Sequence, residues 1–347
     1  MDTIGLDLHQ RESQLCILGE DGGVSERRIA TSRERFSAVL GGRPPAQVLL
    51  EASTESEWVA RHLEALGHAV VVADPNYAPR YATRSRRVKT DKRDARTLAE
   101  ACRLGAYRPA HRLSDARRHV RAELAVRDAL VRTRTRYVAL VKALARRDGL
   151  RLAQGEPERT AAKLAALDAQ GAVSPTLRAE VAPLLAVPAP LNAEIAAADQ
   201  RIGAVAQHDP VVQRLATAPG IGPITAAAFV ATVDDVARFP SAHQLEAYLG
   251  LVPGEKSSGE KQRRGRITKA GNARVRWLLV EAAWRVLRSR SPEAEGLRTW
   301  GQRAAVRRGK GVAVVALARR LAGILYGMWR DAAPYRPARR PAAARAG

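Results

Sequence analysis

The stretch "TIGLDLH" (residues 3–9) decides the fold of the first part of the chain. Its apolar and β-branched residues predict a strand, with Asp7 in the middle of it among apolar neighbours. Two further strands, "SQLCILGE" (13–20) and "VSERRIA" (24–30), follow on either side of a Gly-Gly turn. The chain therefore opens with three consecutive strands. The first of them holds an acid where a carboxylate is costly unless it is paired or binds a metal.

After the third strand, helix and strand signals alternate as far as residue 105. The helix "SRERFSAVLGG" (32–42) has Ser32 as its N-cap and Gly41 near its end. The later segments are a strand, a helix, a strand and a helix: "AQVLLEAS" (46–53), "EWVARHLEALG" (57–67), "HAVVVADP" (68–75) and "DKRDARTLAEACRLG" (91–105). The order βββαβαβα predicts an α/β fold in which helices cover a mixed sheet.

The remainder of the chain is predominantly helical. Residues 114–207 predict two long helices joined by a helical insertion (150–190). One of these helices has an apolar stripe that indicates either an intrachain core or a seam between protomers: Leu191, Ile195, Ala198, Ile202 and Val205. Residues 211–333 are predicted to be helical again, interrupted by a basic loop, and the tail "PYRPARRPAAARAG" (334–347) is predicted to be disordered.

The charge of the chain points to a polyanionic partner. Its 347 residues contain 58 Lys plus Arg against 35 Asp plus Glu, a formal net charge of +23. Such an excess causes self-repulsion unless a polyanion neutralises it, so nucleic acid is the leading partner. The alternative is that the base composition of the genome inflates the arginine content.

Other features of the composition indicate the compartment. Cys16 and Cys102 are the two cysteines, which predicts a reducing cytoplasm and no disulfide framework. The N-terminus has no signal-peptide pattern. The most apolar late stretch (311–329) is interrupted by Arg319 and Arg320, so no membrane span and no membrane partner are predicted.

Four acids form a candidate metal site: Asp7, Glu51, Asp91 and Asp94. Asp91 and Asp94 lie on one helix face, and Glu51 ends the strand "VLLE". If the strands of Asp7 and Glu51 are neighbours, these hard oxygen ligands suit Mg²⁺ or Mn²⁺ and phosphoryl-transfer chemistry. Nearby cations are candidates for holding the phosphodiester: Lys89, Lys92 and Arg93. Taken singly, Asp91 or Glu51 is more readily explained as a solvated acid, and Asp7 is the exception because the strand "IGLD" has little reason to hide an acid. The segment "IGLDLH" also resembles the first phosphate loop of actin-like ATPases and sugar kinases. The Gly-Thr-Thr turn of those enzymes does not follow it here.

A second candidate site is the basic stretch "PGEKSSGEKQRRGRITKAGN" (253–272), which is predicted to be a loop. Cations surround its two serines: Lys256, Lys261, Arg263, Arg264, Arg266 and Lys269. No histidine accompanies Ser257 or Ser258, so a Ser-His-Asp triad is not supported. Attack on a bound phosphodiester fits better. The alternative is a loop that only contacts backbone phosphates, and spacing does not distinguish Ser257 from Ser258.

Four segments, in this order, have a family resemblance: "GLDLHQRES" (5–13), "LLEASTESEW" (49–58), "NYAPRYATRSRRVKTDKRDARTLAEA" (76–101) and the segment from "PGIGPITAAAF" to "VRWLLVEAAW" (219–284). They resemble the DEDD transposases of the insertion-sequence one-ten type, also called bridge-RNA-guided recombinases, over nearly the whole chain. The resemblance implies a RuvC-like, RNase H-like catalytic domain (1–110), a helical coiled-coil region (111–208) and a mainly α transposase domain (209–333). A disordered basic tail (334–347) would follow.

The resemblance also implies roles for the candidate residues. Asp7, Glu51, Asp91 and Asp94 match the DEDD positions, which bind Mg²⁺ or Mn²⁺, and Ser258 matches the nucleophile. The implied function is transposition of an insertion sequence, with donor and target DNA as substrates and a structured guide RNA as partner. The implied assembly is a dimer, or a tetramer on DNA, in which Ser258 of one protomer completes the DEDD site of another. The expected location is the cytoplasm, at the nucleoid.

Two other functions remain open from the residues alone. A hydrolytic, Mg²⁺-dependent endonuclease of the Holliday-junction type would use the same carboxylates to activate water and would need no serine. A non-catalytic nucleic-acid-binding protein would have the acids as surface residues.

Overall fold

The computed structural model describes residues 1–75, 90–258 and 261–337, except for the side chains of residues 256–258 and 261–264. The chain divides into two compact units, Met1–Leu113 and Ser114–Gly347. The first unit is α/β and the second is mainly helical, as predicted. The finer division into four parts stays a prediction.

The first unit has a five-stranded mixed sheet. Its elements are β1 (Thr3–Leu8), β2 (Glu12–Leu18), β3 (Val24–Ala30), α1 (Arg33–Leu40), β4 (Gln47–Glu51), α2 (Ser56–Ala65), β5 (Ala69–Ala73) and α3 (Asp91–Leu104). The strand order is β3-β2-β1-β4-β5. The β1–β2 and β2–β3 pairs are antiparallel, and the β1–β4 and β4–β5 pairs are parallel. The predicted order βββαβαβα and the mixed sheet are confirmed.

Successive side chains of β1 and β4 point to opposite faces of the sheet, and each face is covered by a different layer. One face buries Ile4, Leu6, Val48 and Leu50 in a core that also contains residues of α1 and α2. On the opposite face Leu49 packs with side chains of α3. Asp7 and Glu51 alternate with the first set of residues, so they belong to the face that α3 covers.

Gly5 allows α3 to approach β1 closely. A Cβ atom at this position would lie closer than 3.0 Å to the Ala95 carbonyl oxygen and to the Ala99 backbone nitrogen. Backbone atoms cannot move aside as the end of a flexible side chain can, so the contact requires glycine. Because α3 begins with Asp91, this contact also determines how near the helix acids come to Asp7.

We therefore expect Gly5→Ala to lower the free energy of unfolding by about 3 kcal/mol, since overpacking forces α3 away from the sheet. Thermal unfolding measures the loss, and hydrogen exchange over residues 91–104 should become faster. Gly42→Ala is the matched control, because nothing lies within 4 Å of a Cβ at Gly42. Equal stability of the two variants would contradict the close approach of α3.

The second unit begins with four helices, α4 (Asp115–Arg147), α5 (Thr160–Ala169), α6 (Pro175–Ala186) and α7 (Pro188–His208). Its remaining elements are α8 (Pro210–Leu215), α9 (Pro223–Val233), α10 (Ala242–Tyr248), β6 (Pro253–Ser258), β7 (Lys261–Ile267), α11 (Ala273–Arg288), α12 (Glu295–Arg308) and α13 (Lys310–Arg330). The two long helices, the helical insertion between them and the later helices agree with the sequence prediction.

The apolar stripe of α7 packs inside the chain. Ile195, Ala198 and Ile202 are buried, and α7 lies along α4. Arg127 on α4 pairs with Asp199 on α7, and Arg201 pairs with Glu123 at 2.9 Å. The stripe is thus an intrachain core, the first of the two alternatives. The prediction that Val205 is its last member was wrong, because Val205 is 36% exposed and Ala206 is buried instead. A straight helix with 3.6 residues per turn moves Val205 off the buried face.

Among the residues that the structure describes, two helical stretches, Pro175–His208 and Lys310–Arg330, are long and apolar enough by composition to span a membrane. In the second stretch, which is α13, Leu317, Leu321 and Leu325 are fully buried in the core of the helical unit. Arg319, one of the two arginines that interrupt its apolar run, pairs with Glu246 at 2.5 Å. The apolar side chains of α13 therefore have a structural role in the core.

The basic stretch was wrongly predicted to be a loop. Residues 253–258 and 261–267 form an antiparallel pair of strands, β6 and β7. The stretch has no apolar alternation that would indicate a strand. The strands form because an antiparallel ladder satisfies the backbone groups whatever the side chains are.

Candidate active site

Asp7 and Glu51 stand beside each other at the end of two parallel strands. Leu6 of β1 is the register partner of Leu50 of β4, so the next residues of the two strands, Asp7 and Glu51, are neighbours. The Asp7 side chain is only 18% exposed. The two strands are thus adjacent, which is the condition under which these acids can converge.

Asp91 and Asp94 lie in the first turn of α3. Thr90 is the N-cap residue, and its hydroxyl accepts a hydrogen bond from the Arg93 backbone N–H at 3.4 Å. Both acids are partly buried, whereas Lys92 and Arg93 are exposed. Acids at a helix N-terminus are stabilised by the helix dipole. That stabilisation accounts for their place in the helix, where the Asp91 side chain is still 48% exposed.

His9 connects the strand acid and the helix acid. Its Nε2 atom lies 3.3 Å from Asp7 Oδ2 and 3.5 Å from Asp91 Oδ1. Asp7, His9 and Asp91 each offer a ligand atom, and these atoms lie within 4.8 Å of one another. Among the described residues, these three are the one group of acidic, histidine or cysteine side chains whose ligand atoms lie this close together. Glu51 and Asp94 occupy the same end of the sheet but do not belong to that group.

The two serines lie at the end of a hairpin strand. Ser257 pairs with Gln262 and Ser258 pairs with Lys261 in the β6–β7 register, and Ser258 is the last residue of β6. Of the cations predicted to contact nucleic acid, Arg266 and Lys269 are exposed. Lys89 lies outside the described residues. The other cations near the serines have side chains that lie outside the description: Lys256, Lys261, Arg263 and Arg264.

The base of this hairpin is tied to the helices that flank it. Arg276 on α11 donates from Nη1 to the carbonyl oxygens of Leu249 at 3.1 Å, Ala270 at 2.5 Å and Gly271 at 3.0 Å. Asn272 caps α11 by accepting from the Arg274 and Val275 backbone N–H groups at 2.9 and 3.0 Å. The base of the hairpin is therefore anchored to α11.

The two cysteines are not activated as nucleophiles. Burial raises the pKa of Cys102 to about 11, and burial is also the main cause of the raised pKa of Cys16. A thiol reacts as its thiolate, so both side chains stay protonated and inert near neutral pH.

Comparison with known proteins identifies the family. The model of the IS116/IS110/IS902 transposase family matches residues 212–297, and a DEDD transposase model of the IS110 group matches residues 4–147. A probable family 20 transposase from Pseudomonas aeruginosa is 34% identical, over 97% of this chain and 99% of that protein. The transposase for insertion sequence element IS1111A from Coxiella burnetii is 29% identical, over 96% of this chain and 91% of its own length.

The chain belongs to the IS116/IS110/IS902 family of transposases. It is a DNA transposase of an insertion sequence, and the family resemblance inferred from the sequence is confirmed. Its first unit has the RNase H-like arrangement expected of a DEDD domain. Membership makes DNA the substrate of this transposase, and the DEDD domain indicates that it uses a divalent metal.

The donor set of this transposase fits such a metal. Two carboxylates would supply hard oxygen ligands, and an imidazole nearby offers a nitrogen of intermediate softness. A cation beside the part-buried Asp7 would stabilise its charged form, because burial makes a carboxylate costly unless it is paired or binds a metal. Asp7 and Asp91 are therefore the two sequence-predicted ligands that fit a shared ion by distance.

His9 is the residue of this site that the sequence analysis did not select. A signal for it was present in "DLH" (7–9), since residues two apart in an extended strand face the same side. The signal is weak by itself. The β1 segment ends at Leu8, and the Asp91 side chain that makes the position meaningful comes from a distant part of the sequence.

Proposed function

We propose that this transposase cuts and rejoins DNA through Ser258, at a site whose divalent cations are held by Asp7, Glu51, Asp91 and Asp94. The observation that supports the proposal is the meeting of Asp7 and Asp91, with Glu51 in the adjacent strand, at one end of the sheet. Mg²⁺ or Mn²⁺ bound there would offset the negative charge that develops on a phosphodiester under attack. The four carboxylates would hold and orient those cations, and Lys89, Lys92 and Arg93 would hold the DNA backbone.

The serine step conserves the bonding energy of the DNA. Ser258 Oγ attacks the phosphorus atom, a phosphoserine ester forms, and the deoxyribose oxygen leaves and takes up the proton lost by the serine. In the second step the hydroxyl of the new DNA strand attacks the same phosphorus, and the serine is released with its proton. Cations of the hairpin region steady the phosphate oxygens throughout: Lys256, Lys261, Arg263, Arg264, Arg266 and Lys269.

The proposal includes partners that the resemblance implies. A structured RNA of the element pairs with donor and target DNA, so that base pairing selects the sequence while the protein holds the backbones. Protomers assemble as a dimer, or as a tetramer on DNA, with Ser258 of one protomer acting at the carboxylates of another. The enzyme acts in the cytoplasm at the nucleoid, where its DNA substrate lies. The high net charge of +23 supports binding to both nucleic acids.

One observation favours a second candidate, the hydrolytic endonuclease. Asp7, His9 and Asp91 all lie within the first unit and gather without any residue of the second. Carboxylates arranged in this way can activate water as well as orient a serine, because metal-bound water loses its proton more easily. The two functions differ in one product, since hydrolysis leaves no protein attached to the DNA.

The adduct on the serine is the direct test. The transposase is incubated with end-labelled DNA of its element, the RNA of the element and Mg²⁺, then denatured and digested with nuclease and trypsin. Cleavage after Lys256 and Lys261 yields the peptide of residues 257–261, which contains both serines. We expect fragmentation to place a nucleotide phosphate on Ser258. Cleaved DNA with free ends and an unmodified peptide would instead establish the endonuclease.

A further inference from the structure

The turn that bears His9 is fixed by two hydrogen bonds from Thr31, the residue that follows β3. The Thr31 hydroxyl donates to the His9 carbonyl oxygen at 2.8 Å, and the Thr31 backbone N–H donates to the Arg11 carbonyl oxygen at 2.9 Å. Thr31 Oγ1 also lies 2.6 Å from the hydroxyl of Ser13, which is buried in β2. The backbone of His9 is therefore held on both sides of the β1–β2 connection.

This anchoring matters because the His9 side chain is 57% exposed. An exposed ring on a loose loop would have little preferred position. Here the backbone is fixed, and the Nε2 atom of the ring faces the two carboxylates. A side chain whose backbone is already fixed loses less conformational entropy when it binds a ligand.

The distances around the His9 Nε2 atom match the edges of a metal coordination sphere. Ligand atoms bound at about 2.1 Å to one cation lie about 3.0 Å apart when they are cis in an octahedron and about 3.4 Å apart in a tetrahedron. Nε2 lies 3.3 Å from the Asp7 oxygen and 3.5 Å from the Asp91 oxygen. Because all three ligand atoms also lie within 4.8 Å of one another, side-chain rotations can bring them to one ion.

We propose that His9 is a metal ligand of this centre, and that its nitrogen makes the site prefer Mn²⁺ or Co²⁺ to Mg²⁺. The inference rests on the proposed metal site and goes beyond its four carboxylates. Oxygen ligands serve Mg²⁺ and Mn²⁺ about equally, whereas imidazole nitrogen binds the later transition metals more strongly and Mg²⁺ poorly. One histidine among acids therefore shifts the preference between metals that an all-carboxylate site would treat alike.

The competing account is a purely electrostatic one, in which a protonated His9 pairs with Asp7 and Asp91. In that arrangement the histidine contributes a positive charge and would repel a cation. The two accounts predict opposite changes when the ring is removed: metal binding weakens if His9 is a ligand and strengthens if His9 is a counter-ion.

The test measures metal binding directly on the full chain without DNA. Free Mn²⁺ is followed by electron paramagnetic resonance during titration of wild type, His9→Ala and His9→Gln, and Mg²⁺ affinity is obtained by competition. We expect the Mn²⁺ affinity of both variants to fall at least about tenfold, with Mg²⁺ affinity changed by less than about threefold. Pulsed measurements on bound Mn²⁺ should show a histidine nitrogen coupling in wild type that both variants lack.

The controls separate this inference from the proposed metal site. His119→Ala removes an exposed histidine on α4 and should change neither affinity nor the nitrogen coupling. Asp7→Asn should weaken binding of both metals. If Asp7→Asn weakens both while the His9 variants bind Mn²⁺ as wild type does, the role of His9 is disproved and the carboxylate site stands. If Asp7→Asn leaves both affinities unchanged, the proposed metal site fails and His9 with it.

Discussion

The Asp7→Asn variant is expected to lose metal-dependent DNA cleavage by about a thousandfold or more. Asparagine has the shape of aspartate, so the strand and the packing around it should remain. What changes is the charge: an amide oxygen is a much weaker ligand for a divalent cation than a carboxylate oxygen. The centre then loses the ligand that lies deepest among the three gathered side chains, since Asp7 is 18% exposed while Asp91 is 48% exposed.

Single-turnover cleavage of labelled element DNA, with Mg²⁺ and the RNA of the element, measures the effect. Asp21→Asn is the matched control, because Asp21 is an exposed acid whose Oδ1 accepts from the Gly23 backbone N–H at 2.9 Å, a bond that asparagine can keep. The control should cleave at the wild-type rate. Cleavage by Asp7→Asn within about threefold of wild type, or full wild-type activity in EDTA, would remove the metal role of the carboxylates.

The Ser258→Ala variant is expected to abolish strand exchange, a loss of at least about ten-thousandfold. Without the hydroxyl no phosphoserine ester can form, so no covalent intermediate holds the DNA phosphate for rejoining. Binding to DNA and RNA should remain within about twofold of wild type, since phosphate contacts come from the cations around the serine. Recombination of a two-plasmid substrate, together with fluorescence anisotropy for binding, measures the two quantities separately.

Ser257→Ala is the matched control for the serine assignment. The two serines are adjacent in β6 and have different partners in β7, Gln262 for Ser257 and Lys261 for Ser258. We expect Ser257→Ala to retain strand exchange. The opposite pattern, with Ser257→Ala inactive and Ser258→Ala active, would transfer the nucleophile to Ser257. Activity in both single variants and in the double variant would exclude the serine mechanism and favour hydrolysis.

Local signals were enough to predict most of the elements. Ser32 caps α1 by accepting from the Arg35 backbone N–H, and Asn272 caps α11, as their residue types indicate. The apolar runs of β1 and β4 are buried as predicted. Such features depend on residues a few positions apart, which is why the α/β order of the first unit could be predicted. The β6–β7 hairpin could not, because its polar residues give no periodic signal and its stability comes from paired backbones.

The sequence by itself determined the order of the elements in the first unit, the basic character of the chain and the identity of the acids available for a metal. Tertiary structure alone decided which of those acids meet. Asp91 reaches Asp7 because Gly5 lets α3 lie against β1, and His9 joins them because Thr31 holds its turn. Likewise, the α7 stripe became an intrachain core only because α4 lies beside it. Each of these contacts joins segments that are distant in the chain, and their free energy depends on packing in three dimensions that no local pattern records.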